Sequence, residues 1–525
     1  MTSLVHHLLA DSAVRIPDKE ALVHGDRRLS YAEVLRLTQR LAGGFRAAGL
    51  ERGDRVGVCL EKSVEQTVAI MAALWAGGVF VPINHLLFPQ QIGHIVRDCE
   101  PRVLVTTEGH LVRLREELSQ GSSVQAVVVV DGAEDSGRHP RVYSLSDILD
   151  SETGDGSVEQ CISKDLAAIL YTSGSTGRPK GVVLSHANLI AGSRIVSTYL
   201  GITERERILS IVPFSFDYGL NQLLTGFEHG ATVVLLNFHF PDEVVRALLD
   251  EQITGLAGVP SFWCLLAQPR SSIHRHEFPH LRYITNTGGV VPATVVQALQ
   301  KALPATSIVL MYGLTEAFRS TYLPPEELNR RRGSMGRAIP DTEIFVVNDE
   351  GKKCGPNEVG ELVHRGPTVS LGYWGNPEAT AKVLRPNPFQ PPQIADTERV
   401  CYSGDLVRMD EQGFLYFCGR RDATIKSAGF RISPNEVEEV ALSTGRVLEA
   451  AAIGVPDEVL GHSITLFVVP QDGETIETVG LIDYYAERVP RYMIPKKIEF
   501  ASEHPKTAHG KIDYPTLRSS VTGSR

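Results

Sequence analysis

The sequence is short of several features that would assign it to familiar classes. No CxxC pair occurs: Cys59, Cys99, Cys161, Cys264, Cys354, Cys401 and Cys418 are odd in number and lack the spacing of a metal site or a disulfide framework. They are expected to be reduced core thiols in a cytoplasmic protein. No basic excess exists either. The net charge of −10 leaves nothing to neutralise a phosphate backbone, so no nucleic-acid partner is expected. No stretch approaches about 18 uninterrupted apolar residues, and Met1-Thr-Ser-Leu-Val-His-His is not a basic region followed by an apolar run, so neither a membrane span nor secretion is expected. Internal repeats and low-complexity blocks are absent as well.

What remains is a globular chain. Its 525 residues exceed one core and predict at least two domains, and a hydrophobic content of 42% with 22% charge is ordinary for such a protein. Apolar positions recur at helical spacing from Tyr31 to Phe45; Arg55 to Leu60 reads as a strand, Val64 to Trp75 as a helix, and Gly78 to Pro82 as a strand. This alternation predicts an α/β fold with a mostly parallel sheet. Val124 to Val130 adds a buried strand, and Asp131 to Gln160, rich in Gly, Ser, Asp and Glu, is expected to be a surface excursion. Ser185 is placed to cap a helix through Ala187 to Leu200; a strand is expected over Ala231 to Leu236 and a helix over Asp242 to Leu249.

The densest chemical signal is Tyr171-Thr-Ser-Gly-Ser-Thr-Gly-Arg-Pro-Lys-Gly181. Two serines, two threonines, three glycines and a lysine share eleven residues. Glycines let backbone N–H groups turn toward an anion, hydroxyls add donors, and the lysine adds a mobile positive charge. The apolar runs on either side, Leu166 to Tyr171 and Gly181 to Leu184, make the loop the tip of a hairpin. Arg178 and Pro179 separate Gly177 from Lys180, unlike the Gly-Lys pair of the nucleotide loop that opens a helix, which disfavours a kinase or ATPase of that class.

The run Thr172 to Gly181 resembles the phosphate loop of the adenylate-forming superfamily, which contains acyl- and aryl-CoA synthetases, peptide-synthetase adenylation domains and luciferases. Further motifs follow in the family's order over nearly the whole chain. The resemblance implies a large N-terminal domain of layered mixed sheets with helices, residues 1–418, and a small mobile α+β domain, residues 419–525, with a hinge at Asp422. It implies that Thr172, Ser173, Gly174, Ser175, Thr176, Gly177 and Lys180 hold phosphate, and that Gly288, Gly289, Met311, Tyr312 and Gly313 pack on adenine. Val290 stands where many relatives have an acidic residue. Thr315 would contact the α-phosphate, Glu316 would hold Mg²⁺, Asp405 in a strand-end turn would accept from ribose, and Arg420 would reach ribose or phosphate. Lys511, in Pro505 to Asp513, would be the catalytic lysine, acting with Thr172, Lys180 and Glu316.

For the acid, the resemblance implies a pocket of Phe216, Asp217, Asn221, Gly258, Val259, Gly288, Gly313 and Phe318. Phe262 and Trp263 suit that pocket or plain packing equally. Asp217 has two readings. An Asp beside Gly caps helices, but a buried carboxylate is costly without a cation, which favours an amine-bearing acid as substrate. Arg319 and the triplet Arg330, Arg331 and Arg332 are expected on solvated faces, with contact to pyrophosphate as the alternative. The implied reaction is Mg·ATP-dependent adenylation of a carboxylic acid, with an amino acid expected, followed by transfer to the phosphopantetheine thiol of a separate carrier protein, or of CoA.

Overall fold

The computed structural model describes residues 2–119, 122–132, 140–151, 160–172, 179–421, 425–427, 430–457, 461–507 and 510–522. Three sheets organise them. The first has seven strands in the order Arg141–Ser144, Ala126–Val129, Val103–Thr106, Arg55–Val58, Val79–Pro82, Leu166–Thr172 and Lys180–Ser185. All neighbours are parallel except the last pair, which is antiparallel with Thr172 opposite Lys180. The strands flanking the glycine-rich loop therefore form the expected hairpin. Ser173, Gly174, Ser175, Thr176 and Gly177 lie outside the described residues, as does Asp422.

The second sheet has fourteen strands. Its parallel half runs through Glu20–His24, Thr232–Leu235, Arg207–Ser210, Gly255–Gly258, Tyr283–Asn286 and Ser307–Leu314. From Ser307–Leu314 it turns antiparallel into Ala317–Leu323, Ser334–Ala338, Leu415–Arg420 and Arg399–Met409. Helices cover the parallel strands, which are apolar on both faces as such strands must be. Helix Val64–Trp75 is buried along nearly all its length. Ser185 caps His186–Leu200 as expected, accepting from the Asn188 N–H while the Asn188 side chain returns to the Ser185 N–H.

A third sheet of five strands, built around the long antiparallel pair Val447–Asp457 and Gly461–Pro470, is the core of the small C-terminal domain. Helices Pro434–Leu442 and Tyr514–Thr522 lean on it. No helix among the described residues is long and apolar enough to cross a membrane.

Two expectations need correction. The stretch expected as a surface excursion contains strand Arg141–Ser144 and helix Leu145–Asp150. Four residues on a sheet edge and six in a helix are too few to show a period, yet Leu145 and Ile148 are buried, and Ile148 packs on Gly44 of helix Tyr31–Ala47. Asp405 lies within strand Arg399–Met409 opposite Arg420, not in a strand-end turn; the preceding Gly404, at φ +74°, kinks the strand there.

Candidate functional site

Strands Gly255–Gly258, Tyr283–Asn286 and Ser307–Leu314 run in register, with Gly258 level with Asn286 and Asn286 level with Leu310. Val259, Gly288 and Tyr312 therefore follow one common edge, at the carboxyl ends of parallel strands where open α/β sheets bind ligands. Gly288 adopts φ +86°, a conformation that suits glycine, and Asn286 Nδ2 fixes the turn by donating to the Gly289 carbonyl at 3.0 Å. A Cβ on Gly288 would lie 3.2 Å from Lys511 Cε, 3.6 Å from Phe216 Cζ and 3.7 Å from Val259 Cγ1. Four expected site residues from distant parts of the chain thus meet at one point.

Lys511 reaches that point from the small domain. Its Nζ sits 5.3 Å from the centre of the Phe216 ring, and Ser261 Oγ on helix Pro260–Leu266 donates to the Gly510 carbonyl at 3.3 Å. The residue keeps contact with solvent on the cleft wall. Desolvation by the surrounding protein nevertheless lowers its pKa, Asp217, Asp405 and Glu316 raise it, and Arg420 lowers it. A lysine whose charge is felt by three carboxylates and one guanidinium stands at the centre of the polar cluster.

Around it the expected nucleotide residues gather. Tyr312 donates its hydroxyl to Asp405 Oδ2, and Arg420 Nη1 lies 3.3 Å from Asp405 Oδ1. Burial, with the Asp405 charge added, pushes the Tyr312 phenol well above its ordinary pKa. Asp405 is itself buried, and its backbone N–H donates to Ser403 Oγ at 3.0 Å.

Thr315 and Glu316 form the two-residue tip between strands Ser307–Leu314 and Ala317–Leu323. Glu316 Oε1 accepts from the Tyr373 hydroxyl at 2.6 Å, while Lys180 Nζ sits 5.5 Å from the Tyr373 ring centre. Tyr373 links the two motifs, though it belongs to neither in the sequence. Among the described residues no three His, Cys, Asp or Glu side chains cluster as a metal cage. One oriented carboxylate nonetheless fits Mg²⁺, which takes its other ligands from phosphate and water.

Gly313 sits in a bulge where a Cβ would come within 3.0–3.1 Å of the Arg319 backbone. Met311 is buried under the Tyr199 hydroxyl, which donates to its sulfur at 2.9 Å. Phe318 is fully buried with its ring against Gly192 of helix His186–Leu200, in the core beneath the site. Phe262 and Trp263 are also buried in the core. Thr172, half-buried, directs its hydroxyl at the Lys180 carbonyl, 3.5 Å away.

The largest departure concerns Asp217 and Arg319. Asp217 is the first residue of helix Asp217–His229, where the helix dipole favours a carboxylate, but the cap position is Phe216 and the capping reading does not hold. Arg319, expected on a solvated face, is 2% exposed, and its Nη1 lies 3.3 Å from Asp217 Oδ2. The protein thus carries its own cation beside Asp217, and the electrostatic argument for an amine-bearing substrate loses its premise. Alternation along Ala317–Leu323 puts Arg319 on the face opposite Phe318, and the strand is buried on both faces. In the triplet, Arg330 and Arg332 are exposed, whereas Arg331 is largely buried against Phe414 and pairs with Asp410 at 2.5 Å.

The chain is similar to known proteins over nearly its whole length. A family model described as AMP-binding enzyme matches residues 9–374, and one described as AMP-binding enzyme C-terminal domain matches residues 436–511. The chain is 33% identical to a feruloyl-CoA synthase from an Amycolatopsis species, over 94% of each chain. It is 29% identical to a long-chain-fatty-acid–CoA ligase of Bacillus subtilis (strain 168), over 96% of this chain and 92% of the other. Among solved structures, the anthranilate CoA ligase AuaEII in complex with anthranoyl-AMP superposes with a TM-score of 0.88 at 25% identity, covering 99% of this chain and 98% of that one.

Proposed function

The chain belongs to the AMP-binding enzyme family, and from that premise we propose that it is an AMP-forming acid–thiol ligase. A substrate carboxylate attacks the α-phosphorus of ATP, pyrophosphate departs, and the acyl-adenylate is passed to a phosphopantetheine thiol. Free CoA is the acceptor this reading favours over a carrier protein, because relatives matched over nearly their whole length are named as a CoA ligase and a CoA synthase. The observation that carries the reading is the meeting of Lys511 with Phe216, Val259 and Gly288, within the electrostatic reach of Glu316 and Asp405.

Each residue has work to do in such a step. A carboxylate is a weak nucleophile and the transition state is highly charged, so positioning and cation stabilisation dominate. Lys511 draws the two anionic reactants together. Asp405 accepts from ribose, Tyr312 packs on the base, and Lys180 with Thr172 steadies the departing pyrophosphate. Glu316, oriented by Tyr373, would hold Mg²⁺, which would supply charge compensation to the phosphates. For thiol transfer the small domain, residues 419–525, swings about Asp422 and withdraws Lys511.

The direct test is incubation with Mg·ATP, CoA and a panel of fatty, aryl, amino and dicarboxylic acids. Pyrophosphate, AMP and an acyl-CoA are the expected products. Formation of ADP, or no acid-dependent pyrophosphate from protein that binds ATP, overturns the assignment.

A further inference from the structure

We propose that the acid pocket selects a substrate bearing a second carboxylate, held side-on by the Nε–H and Nη2–H of Arg319. The inference rests on the acid-adenylating reading above and adds the chemical class of the acid.

Arg319 is an unusual residue to bury. It is 2% exposed, and its φ of +74° is one that residues with a Cβ rarely adopt; backbone strain of this kind clusters at functional sites. Its guanidinium lies against the Tyr218 ring, 4.8 Å from the centre, and the Phe318 ring at 5.3 Å. Among the described residues Nη1 makes the guanidinium's one polar contact, the 3.3 Å approach to Asp217. Nε and Nη2 are buried and have no hydrogen-bond partner among the described residues. Buried donors without acceptors are expensive, and those of a charged group more so.

The two orphan nitrogens share an edge of the planar guanidinium, the edge opposite the one used by Asp217. That edge offers two parallel N–H bonds matching the oxygens of a carboxylate. Neither neighbouring aromatic accepts from these nitrogens among the described residues, and the Tyr218 hydroxyl is hydrogen-bonded to Thr285. One turn after Asp217 on the same helix face, Asn221 Nδ2 is a third buried orphan donor. Asn221, Tyr218, Gln222, Thr285 and Met311 line a cavity of about 30 Å³ beside it. Gln222 Oε1 is the one unpartnered acceptor among those lining atoms.

The Arg319–Asp217 pair also adjoins a residue of the reacting centre. Asp217 follows Phe216, which touches the Gly288 turn where Lys511 arrives, and Lys511 feels the Asp217 charge. Two cations, Lys511 and Arg319, thus flank one carboxylate. An acid with a carboxylate at each end places the reacting one at Lys511 and the other on Arg319. An ammonium at the far end would instead meet a guanidinium of like charge and a set of donors.

The test is pyrophosphate release with Mg·ATP and saturated α,ω-dicarboxylic acids of three to eight carbons and the three benzenedicarboxylic acids. Each is run beside its monomethyl ester, the unsubstituted monocarboxylic acid and the ω-amino acid of equal length. One diacid is expected to exceed its ester and amino counterpart in kcat/KM by about 10²–10⁴-fold, the discrimination shown by sites built to hydrogen-bond a polar group. The double variant Asp217→Asn, Arg319→Gln removes both charges together and leaves neither unpaired. It should lower that ratio below about 10 while still binding ATP in calorimetry. A wild-type preference for monocarboxylic or amino acids overturns the inference and leaves the ligase assignment standing, as does a ratio unchanged in the double variant. Silence with every acid, from protein that binds ATP, overturns both.

Discussion

Lys511 stands where charges of both signs converge, so removing it should separate the two half-reactions. Lys511→Ala is expected to slow adenylate formation by about 10²–10³-fold, the loss typical of a transition-state donor, and to spare thioester formation from a supplied acyl-adenylate. Rapid-quench assays of each half-reaction check this; equal loss of both would mean that Lys511 serves both steps. Tyr373 acts one contact back from the chemistry. Tyr373→Phe removes the hydroxyl that holds Glu316, and one such hydrogen bond is worth about 1 kcal/mol. The KM for Mg·ATP should rise about fivefold with kcat nearly unchanged, and titration with Mg²⁺ should narrow the difference. At this scale the sequence was legible where a motif fixes chemistry locally. Thr172, Lys180, Glu316 and Lys511 could all be picked out from their neighbours in the chain. Arg319 and Tyr373 could not, because burial and partnership are made by strands and turns distant in sequence.

The elements that deliver these residues have their own tolerances. A Cβ on Gly313 would meet the Arg319 backbone at 3.0–3.1 Å, and backbone cannot step aside as a side-chain tip can. Gly313→Ala should therefore shift the hairpin carrying Thr315 and Glu316 by a few tenths of an ångström. The expected result is a fall in adenylation rate of about 10–10²-fold with little change in melting temperature, read by pyrophosphate release beside calorimetry. Ser185 works differently, capping the helix whose Gly192 receives the Phe318 ring. Ser185→Ala should cost about 1 kcal/mol of large-domain stability and leave kcat intact. Elements such as Val64–Trp75 and Pro241–Asp250 were readable because their apolar spacing is local and long. Strand Arg141–Ser144 and helix Leu145–Asp150 were not, being too short for a period. The order of strands in the fourteen-stranded sheet was hidden for a related reason. Pairs such as Glu20–His24 with Thr232–Leu235 join residues some two hundred positions apart, and no local pattern records them.

For the molecule as a whole, the small domain has to hold Lys511 at the large domain's cleft, and one buried carboxylate links its parts. Glu438 on helix Pro434–Leu442 is 5% exposed and accepts from the Ala452 N–H and the Tyr514 hydroxyl, each at 2.8 Å. It thereby ties that helix to strand Val447–Asp457 and to the start of helix Tyr514–Thr522, three residues beyond Lys511. Burial pushes its pKa up to about 7 despite both hydrogen bonds, and the nearby Glu439 charge adds to the rise. The unfolded carboxyl ionises near its ordinary 4.5, so between there and about pH 7 the folded domain keeps a proton that the unfolded chain has lost. Stability from this group is therefore fully present at low pH, falls as pH rises through that window, and levels off above about 7. The total is on the order of 3 kcal/mol. Glu438→Gln keeps the acceptor without the charge. Its small-domain melting transition should match wild type near pH 5 and lie above it at pH 8, whereas a gap independent of pH would show that Glu438 does not titrate in this range. Because the same helix anchors the segment bearing Lys511, adenylation by wild type should lose thermal robustness between pH 6 and 8 faster than adenylation by the variant.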